Sequence, residues 1–114
     1  MSGNVATGLA NLFQAFFGNS RSFVTGSITC PEAGVGERLP GYPIPRGKSF
    51  VVKALPTNVG LIWIAPTKAD SQNQNVGWSL TPNEALSLRV DSGADIWVTA
   101  QVAGDGVCYI VEQN

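Results

Sequence analysis

The stretch Glu84-Ala85-Leu86-Ser87-Leu88-Arg89-Val90-Asp91 alternates between apolar and polar residues. Leu86, Leu88 and Val90 fall on one side of an extended chain and Ser87, Arg89 and Asp91 on the other, the period-two signature of a strand with one buried face. Ser92-Gly93 predicts a turn, and the alternation resumes from Ala94 to Val102. There Ile96, Val98, Ala100 and Val102 oppose Trp97, Thr99 and Gln101. Gly104-Asp105-Gly106 predicts a hairpin turn. A last strand from Val107 to Val111 sets Val107, Tyr109 and Val111 on one side.

Upstream, the same logic gives strands over Lys48–Leu55, Gly60–Ala65 and Val76–Leu80, stopped by Pro56-Thr57-Asn58, Pro66 and Thr81-Pro82-Asn83. Lys68 to Asn75 is polar and reads as a loop. Arg21 to Thr29 predicts a first strand, with Gly26 read as a bulge. Between them, Cys30 to Gly47 holds four of the seven prolines, which predicts a long irregular loop. Leu61-Ile62-Trp63-Ile64 and Cys108-Tyr109-Ile110 are apolar on both faces. Such runs are central strands, or strands with one face in a subunit contact. Short strands about ten residues apart with hairpin-type links define the fold class. It is all-β: a single antiparallel β-sandwich or jelly-roll-like domain over residues 19–114.

Residues 1–18 differ. Val5, Leu9, Leu12, Phe13, Phe16 and Phe17 recur at the spacing of one helical face, Ser2 or Asn4 is placed to cap the start, and Gly18-Asn19 to end it. This N-terminal amphipathic helix or arm carries no charge, and an apolar surface of that size calls for a partner. It either folds back on its own sandwich or packs against another subunit.

The chain of 114 residues is one domain with room for one core. Only 13% of residues are charged, about half the usual share, which suits a protein packed against neighbours or one whose surface is built from Ser, Thr, Asn and Gln. Seven basic and eight acidic residues leave a net charge of −1. That argues against nucleic-acid binding, which needs a basic patch to neutralise phosphates. Arg38, Arg46, Lys48 and Lys53 are the one local basic concentration and read as a solvated surface. The start lacks the positive, then apolar, plan of a secretory signal, and no apolar run is long enough to span a membrane. Synthesis and folding in a cytosol is the expectation.

Histidine is absent, which removes the commonest general base and metal ligand. Two cysteines, Cys30 and Cys108, make no disulfide framework, and whether they pair is left open. Asp91 and Asp95 bracket a tight turn, where aspartate serves the backbone rather than a sugar-sized cleft. Asp91, Asp95 and Asp105 lack calcium-loop spacing. No catalytic, cofactor or metal residues are assigned, and a non-enzymatic protein is expected. Trp63, Trp78 and Trp97 are weighed as a sugar-stacking platform, and Trp63, Trp97 and Tyr109 are the ligand-stacking candidates: aromatics on a sandwich face stack on sugar rings, although Trp is equally suited to a core or an interface.

Pro43-Ile44-Pro45-Arg46-Gly47, Phe50-Val51-Val52-Lys53-Ala54-Leu55-Pro56-Thr57-Asn58 and Gly60-Leu61-Ile62-Trp63-Ile64, followed by Leu80-Thr81-Pro82-Asn83-Glu84, Ile96-Trp97-Val98 and Gly106-Val107-Cys108-Tyr109-Ile110-Val111-Glu112, resemble small virion structural proteins of tailed bacteriophages, of the head decoration or cement type. The resemblance covers roughly residues 43–113 and its motifs are structural, so no catalytic residue is implied. It implies a virion protein assembled in the host cytoplasm, with a homo-oligomer (a trimer favoured) and the major capsid protein or other virion proteins as partners. Neither nucleic acid nor membrane is expected to bind. Related modules in phage tails and fibres give the alternative, a glycan-binding domain. The arm lies outside the resemblance; on the assembly reading Val5, Leu9, Leu12, Phe13, Phe16 and Phe17 are the expected oligomer or capsid contact.

Overall fold

The computed structural model describes residues 22–113. Its strands are β1 (Ser22–Thr29), β2 (Glu37–Arg38), β3 (Phe50–Ala54), β4 (Ile62–Ala65), β5 (Trp78–Leu80), β6 (Ala85–Leu88), β7 (Trp97–Ala100) and β8 (Gly106–Gln113). One helical turn, Lys68–Ser71, lies between β4 and β5, and a 3-10 turn, Gly93–Asp95, precedes β7. The strands form two antiparallel four-stranded sheets, ordered β1-β8-β3-β6 and β2-β7-β4-β5. The architecture is all-β and sandwich-like. The expected arm, residues 1–18 with Val5, Leu9, Leu12, Phe13, Phe16 and Phe17, lies outside the described residues.

The core lies between the sheets. Phe50, Val52 and Ala54 of β3 and Val107, Tyr109 and Val111 of β8 meet Ile62 and Ile64 of β4, Leu80 of β5, and Val98 and Ala100 of β7. The alternation in the sequence is what puts them there: Leu86, Leu88 and Val90 pack on this core while Ser87, Arg89 and Asp91 are exposed. β4, apolar on both faces, is indeed central, between β7 and β5, and all four of its residues are buried.

Four local expectations are corrected. Gly104-Asp105-Gly106 does not close a hairpin, because β7 and β8 belong to different sheets. Only the β4–β5 link stays within one sheet; every other link between these strands crosses to the opposite one. Gly26 is not a bulge, since β1 pairs with β8 in unbroken register from Ser22↔Gln113 to Thr29↔Gly106. Glycine is needed there because a Cβ would stand 2.3 Å from the Tyr109 hydroxyl. The Lys68–Asn75 segment begins with a helical turn, capped by Thr67, whose hydroxyl accepts from the Asp70 amide at 3.1 Å. The Cys30–Gly47 loop contributes β2, which pairs with β7, and a bridge between Pro43 and Ser92.

Candidate functional site: the outward faces and the clamped end

Register and burial define what each sheet presents to the outside. The first sheet, β1-β8-β3-β6, turns Phe23, Thr25 and Ser27 outward beside Glu112, Ile110 and Cys108, with Val51 and Lys53 next and Ser87 at the far edge. This face is largely uncharged. Phe23 is 50% exposed, yet Val51 and Glu112, which also point away from the core, are only 6% and 1% exposed. The buried Glu112 carboxylate accepts from the Ser49 amide at 2.7 Å and lies 3.7 Å from the Lys48 ammonium. A buried carboxylate without such partners would be strongly unfavourable.

The second sheet, β2-β7-β4-β5, turns Trp63, Ala65, Thr99 and Trp97 outward. The helical turn Lys68–Ser71 packs over β4 and β7. The Ser71 hydroxyl lies 2.8 Å from that of Thr99, and both residues are buried. Gln72 holds the strap down by accepting from the Gly36 amide at 2.8 Å. Trp63 is buried beneath this segment, where a Cβ on Gly77 would press on its own. Trp97 is half-buried with the Arg38 guanidinium 5.2 Å above its ring, a cation–π contact.

At one end of the sandwich three of the sheet-to-sheet links are clamped together. Asp105 accepts from the amides of Val59 and Gly60 at 2.8 to 3.1 Å. Asn58 and Gly106 exchange two bonds, at 2.8 and 2.9 Å. The Cys30 amide donates to the Asp105 carbonyl, and the Gly104 amide to the Cys30 carbonyl, both at 2.8 Å. The two cysteines are free thiols. Cys30 is fully enclosed, and burial, with Glu37 nearby as the lesser cause, pushes its pKa up to about 11. Cys108 is partly exposed on the outward face of the first sheet.

The three ligand-stacking candidates do not converge. Trp63 and Trp97 are diagonal neighbours on the outward face of the second sheet. Tyr109 points into the core from the first sheet, its ring 5.5 Å from Phe50 and 6.2 Å from Tyr42. Burial, then the neighbouring Tyr42, raises its pKa. The exposed tryptophan is Trp78, at 65%, on the edge strand β5. Its position on a three-residue edge strand is the signal that separates it from the other two. Arg46, Lys48 and Arg89 line a shallow cleft with Ile44, Val90 and Asp91, so the basic residues at positions 46 and 48 are joined by one from β6's end. Among the described residues no group of three or more Cys, Asp or Glu is placed to hold a metal ion, and no helix is long and apolar enough to cross a membrane.

No family model, curated protein or solved structure matches this chain.

Proposed function

We propose that this protein is a non-enzymatic virion structural protein of a tailed bacteriophage, of the decoration or cement type, which stabilises the head by homo-oligomerising and binding the capsid shell. The observation that carries the reading is the pair of strand orders, 1-8-3-6 and 2-7-4-5. They support reading the two sheets as a jelly roll, the eight-stranded double Greek key used by capsid and lectin domains alike. Because a fold does not fix a function, the surfaces must choose between them. The largely uncharged outward face of the first sheet, with Phe23 half exposed, favours an assembly role over a soluble binding module. On this reading Val5, Leu9, Leu12, Phe13, Phe16 and Phe17 supply apolar surface that packs between subunits or onto the shell. Closed threefold symmetry buries equivalent edges, so a trimer is the favoured state. A shell bound more tightly in its assembled form is stabilised by mass action.

The test is the solution mass by light scattering, together with occupancy on purified heads, for the whole chain and for a chain lacking residues 1–18. A trimer that binds heads, and loses mass and occupancy on truncation, supports the proposal. Equal mass and equal occupancy for the two chains would remove it.

A second reading has one observation in its favour. Trp78 is exposed on the edge strand β5, where its ring is free to stack on a sugar in a tail or fibre domain. Titrating a broad glycan panel against tryptophan fluorescence checks it, and a flat response throughout counts against it.

A further inference from the structure

The cleft between the turn at residues 45–48 and the residues that follow β6 gathers positive charge. Three of the chain's seven basic residues, Arg46, Lys48 and Arg89, line it, with Asp91 as its one carboxylate. The chain as a whole carries a net charge of −1. Cations held together repel one another, and a cleft lined mostly by one sign of charge draws in the opposite sign.

Main-chain bonds fix the two walls. The Lys48 amide donates to the Pro45 carbonyl at 2.9 Å, and Gly47, third in that turn, takes a φ of 81°, which glycine adopts without strain. The Ile44 amide donates to the Asp91 carbonyl at 2.9 Å, and Pro43 bridges to Ser92. The turn that carries Arg46 and Lys48 is thus fastened beside the segment that carries Arg89. Ile44 is buried, and Pro45 and Val90 are half-buried. Apolar walls of this kind reduce the screening of the charges between them.

The three cations differ in their partners. The Lys48 ammonium lies 3.7 Å from the buried Glu112 carboxylate. Arg46 and Arg89 are exposed, and neither guanidinium has an ion-pair or hydrogen-bond partner among the described residues. Outside residues 22–113 the sequence holds no Asp or Glu to supply one. A guanidinium is a planar fork of donors that matches a carboxylate two bonds at a time. The cleft, about 320 Å³, is at the small end of ligand sites and has room for side chains. Neither helical turn lines it, so no helix N-terminus adds the amides of a compact phosphate site. A nucleic acid would need a wider basic face than three cations on a net-negative chain.

We propose that this cleft binds an acidic peptide segment of a partner protein, Arg46 and Arg89 each taking a carboxylate while Lys48 stays with Glu112 and adds to the field. The inference goes beyond the virion reading and does not rest on it.

The probe is a tetraglutamate peptide with both ends blocked, titrated into the whole chain at low salt while the backbone amide signals are followed by NMR. Saturable shifts centred on residues 44–48 and 89–91 are expected, weakening as added salt screens the charges. Arg46→Gln and Arg89→Gln in one chain should lower the affinity on the order of tenfold or more, since two charge-assisted contacts are lost. Both side chains are exposed, so the fold should tolerate the change. Arg38→Gln, outside the cleft, should leave the affinity unchanged. Inorganic phosphate and a short oligothymidylate are titrated in parallel. Tighter binding of either one than of the peptide at these residues would overturn the proposal in favour of a phosphate ligand. No shift at these residues with any probe, or equal peptide affinity in the double variant, would overturn the site itself.

Discussion

The second sheet's outward face is closed by the chain running straight on from β4. Pro66 and Thr67 end the strand, Thr67 caps the turn Lys68–Ser71, and Ser71 and Gln72 fasten it over Thr99 and to Gly36. The first sheet's outward face has no local insertion of this kind among the described residues, yet two of its residues are as buried as the core. Both sheets share one core, so the difference lies in their outward faces. A cover from adjacent residues is a fixed part of the fold. A cover from a distant segment, or from a neighbour, is exchangeable, and exchangeable cover is where assembly can act.

The shared core sets the scale against which either cover is measured. Phe50 is fully enclosed and its ring stacks at a tilt on Tyr109. Phe50→Ala should cost about 3–5 kcal/mol in urea unfolding, the largest single effect expected. Val51 is the next residue along the same strand, pointing the other way. A loss from Val51→Ala approaching the 0.5–1.5 kcal/mol order of a buried methyl deletion would place its face with the closed ones. A change within about 0.5 kcal/mol would mark an open surface.

The clamp at Asp105 ties together links that run between the two sheets, so breaking it should affect both. Asp105→Ala removes the acceptor for the Val59 and Gly60 amides and should cost about 3 kcal/mol, since bonds to a charged partner are the stronger kind. Hydrogen exchange then tells the sheets apart. Loss of protection in both supports one cooperative unit, whereas loss confined to β2, β4, β5 and β7 would mean that the second sheet opens alone.

The two thiols give a pH handle on the same contrast. Cys30 has its folded pKa raised from 9.0 to about 11. Below pH 9 the thiol is protonated in folded and unfolded chains alike and its contribution is fully present. Between about 9 and 11 the unfolded chain releases the proton that the folded chain keeps, so stability falls as pH rises. The loss should reach at most about 2–3 kcal/mol, and Cys30→Ala should flatten that part of the stability-against-pH curve. A slope unchanged by the substitution would assign the alkaline loss to other groups, Tyr109 foremost, since its raised pKa acts in the same sense.

Much of this body is legible in the alternation from Leu86 to Val111, because period-two burial is a local property of a strand. Pairing is not local. Gly104-Asp105-Gly106 announces a chain reversal, but whether the next strand joins the same sheet is settled by Asn58, Val59 and Gly60 on a remote turn. Gly26 looks like a strand defect until Tyr109 arrives from the far end of the chain to fill its place. The Lys68–Ser71 turn had a readable cue in Thr67-x-x-Asp70, the cap spacing. Of the stacking candidates, Tyr109 shares one side of its strand with Val107 and Val111 in the sequence, and that side is the one that faces the core, so it is not free to stack on a ligand. Trp78, weighed beside Trp63 and Trp97, is set apart from them by the edge position of β5, which no local pattern supplies.

The smallest effect tests the cover on the second sheet at a single hydrogen atom. The Ser71 hydroxyl donates to the Lys68 carbonyl at 2.8 Å, and a hydroxyl has one proton to give. Thr99 must therefore be the donor in the 2.8 Å bond between the two hydroxyls. Thr99→Val leaves Ser71 still donating to Lys68 and should cost about 1 kcal/mol or less. Ser71→Ala strands the buried Thr99 hydroxyl and removes the bond to Lys68 as well, so it should cost more, about 1–3 kcal/mol. The double variant should fall below the sum of the two, because no donor is then left without an acceptor at this point. Equal costs for the two single changes would reverse or dissolve the assigned direction of the bond, and with it the claim that the strap is fastened from Thr99 upward.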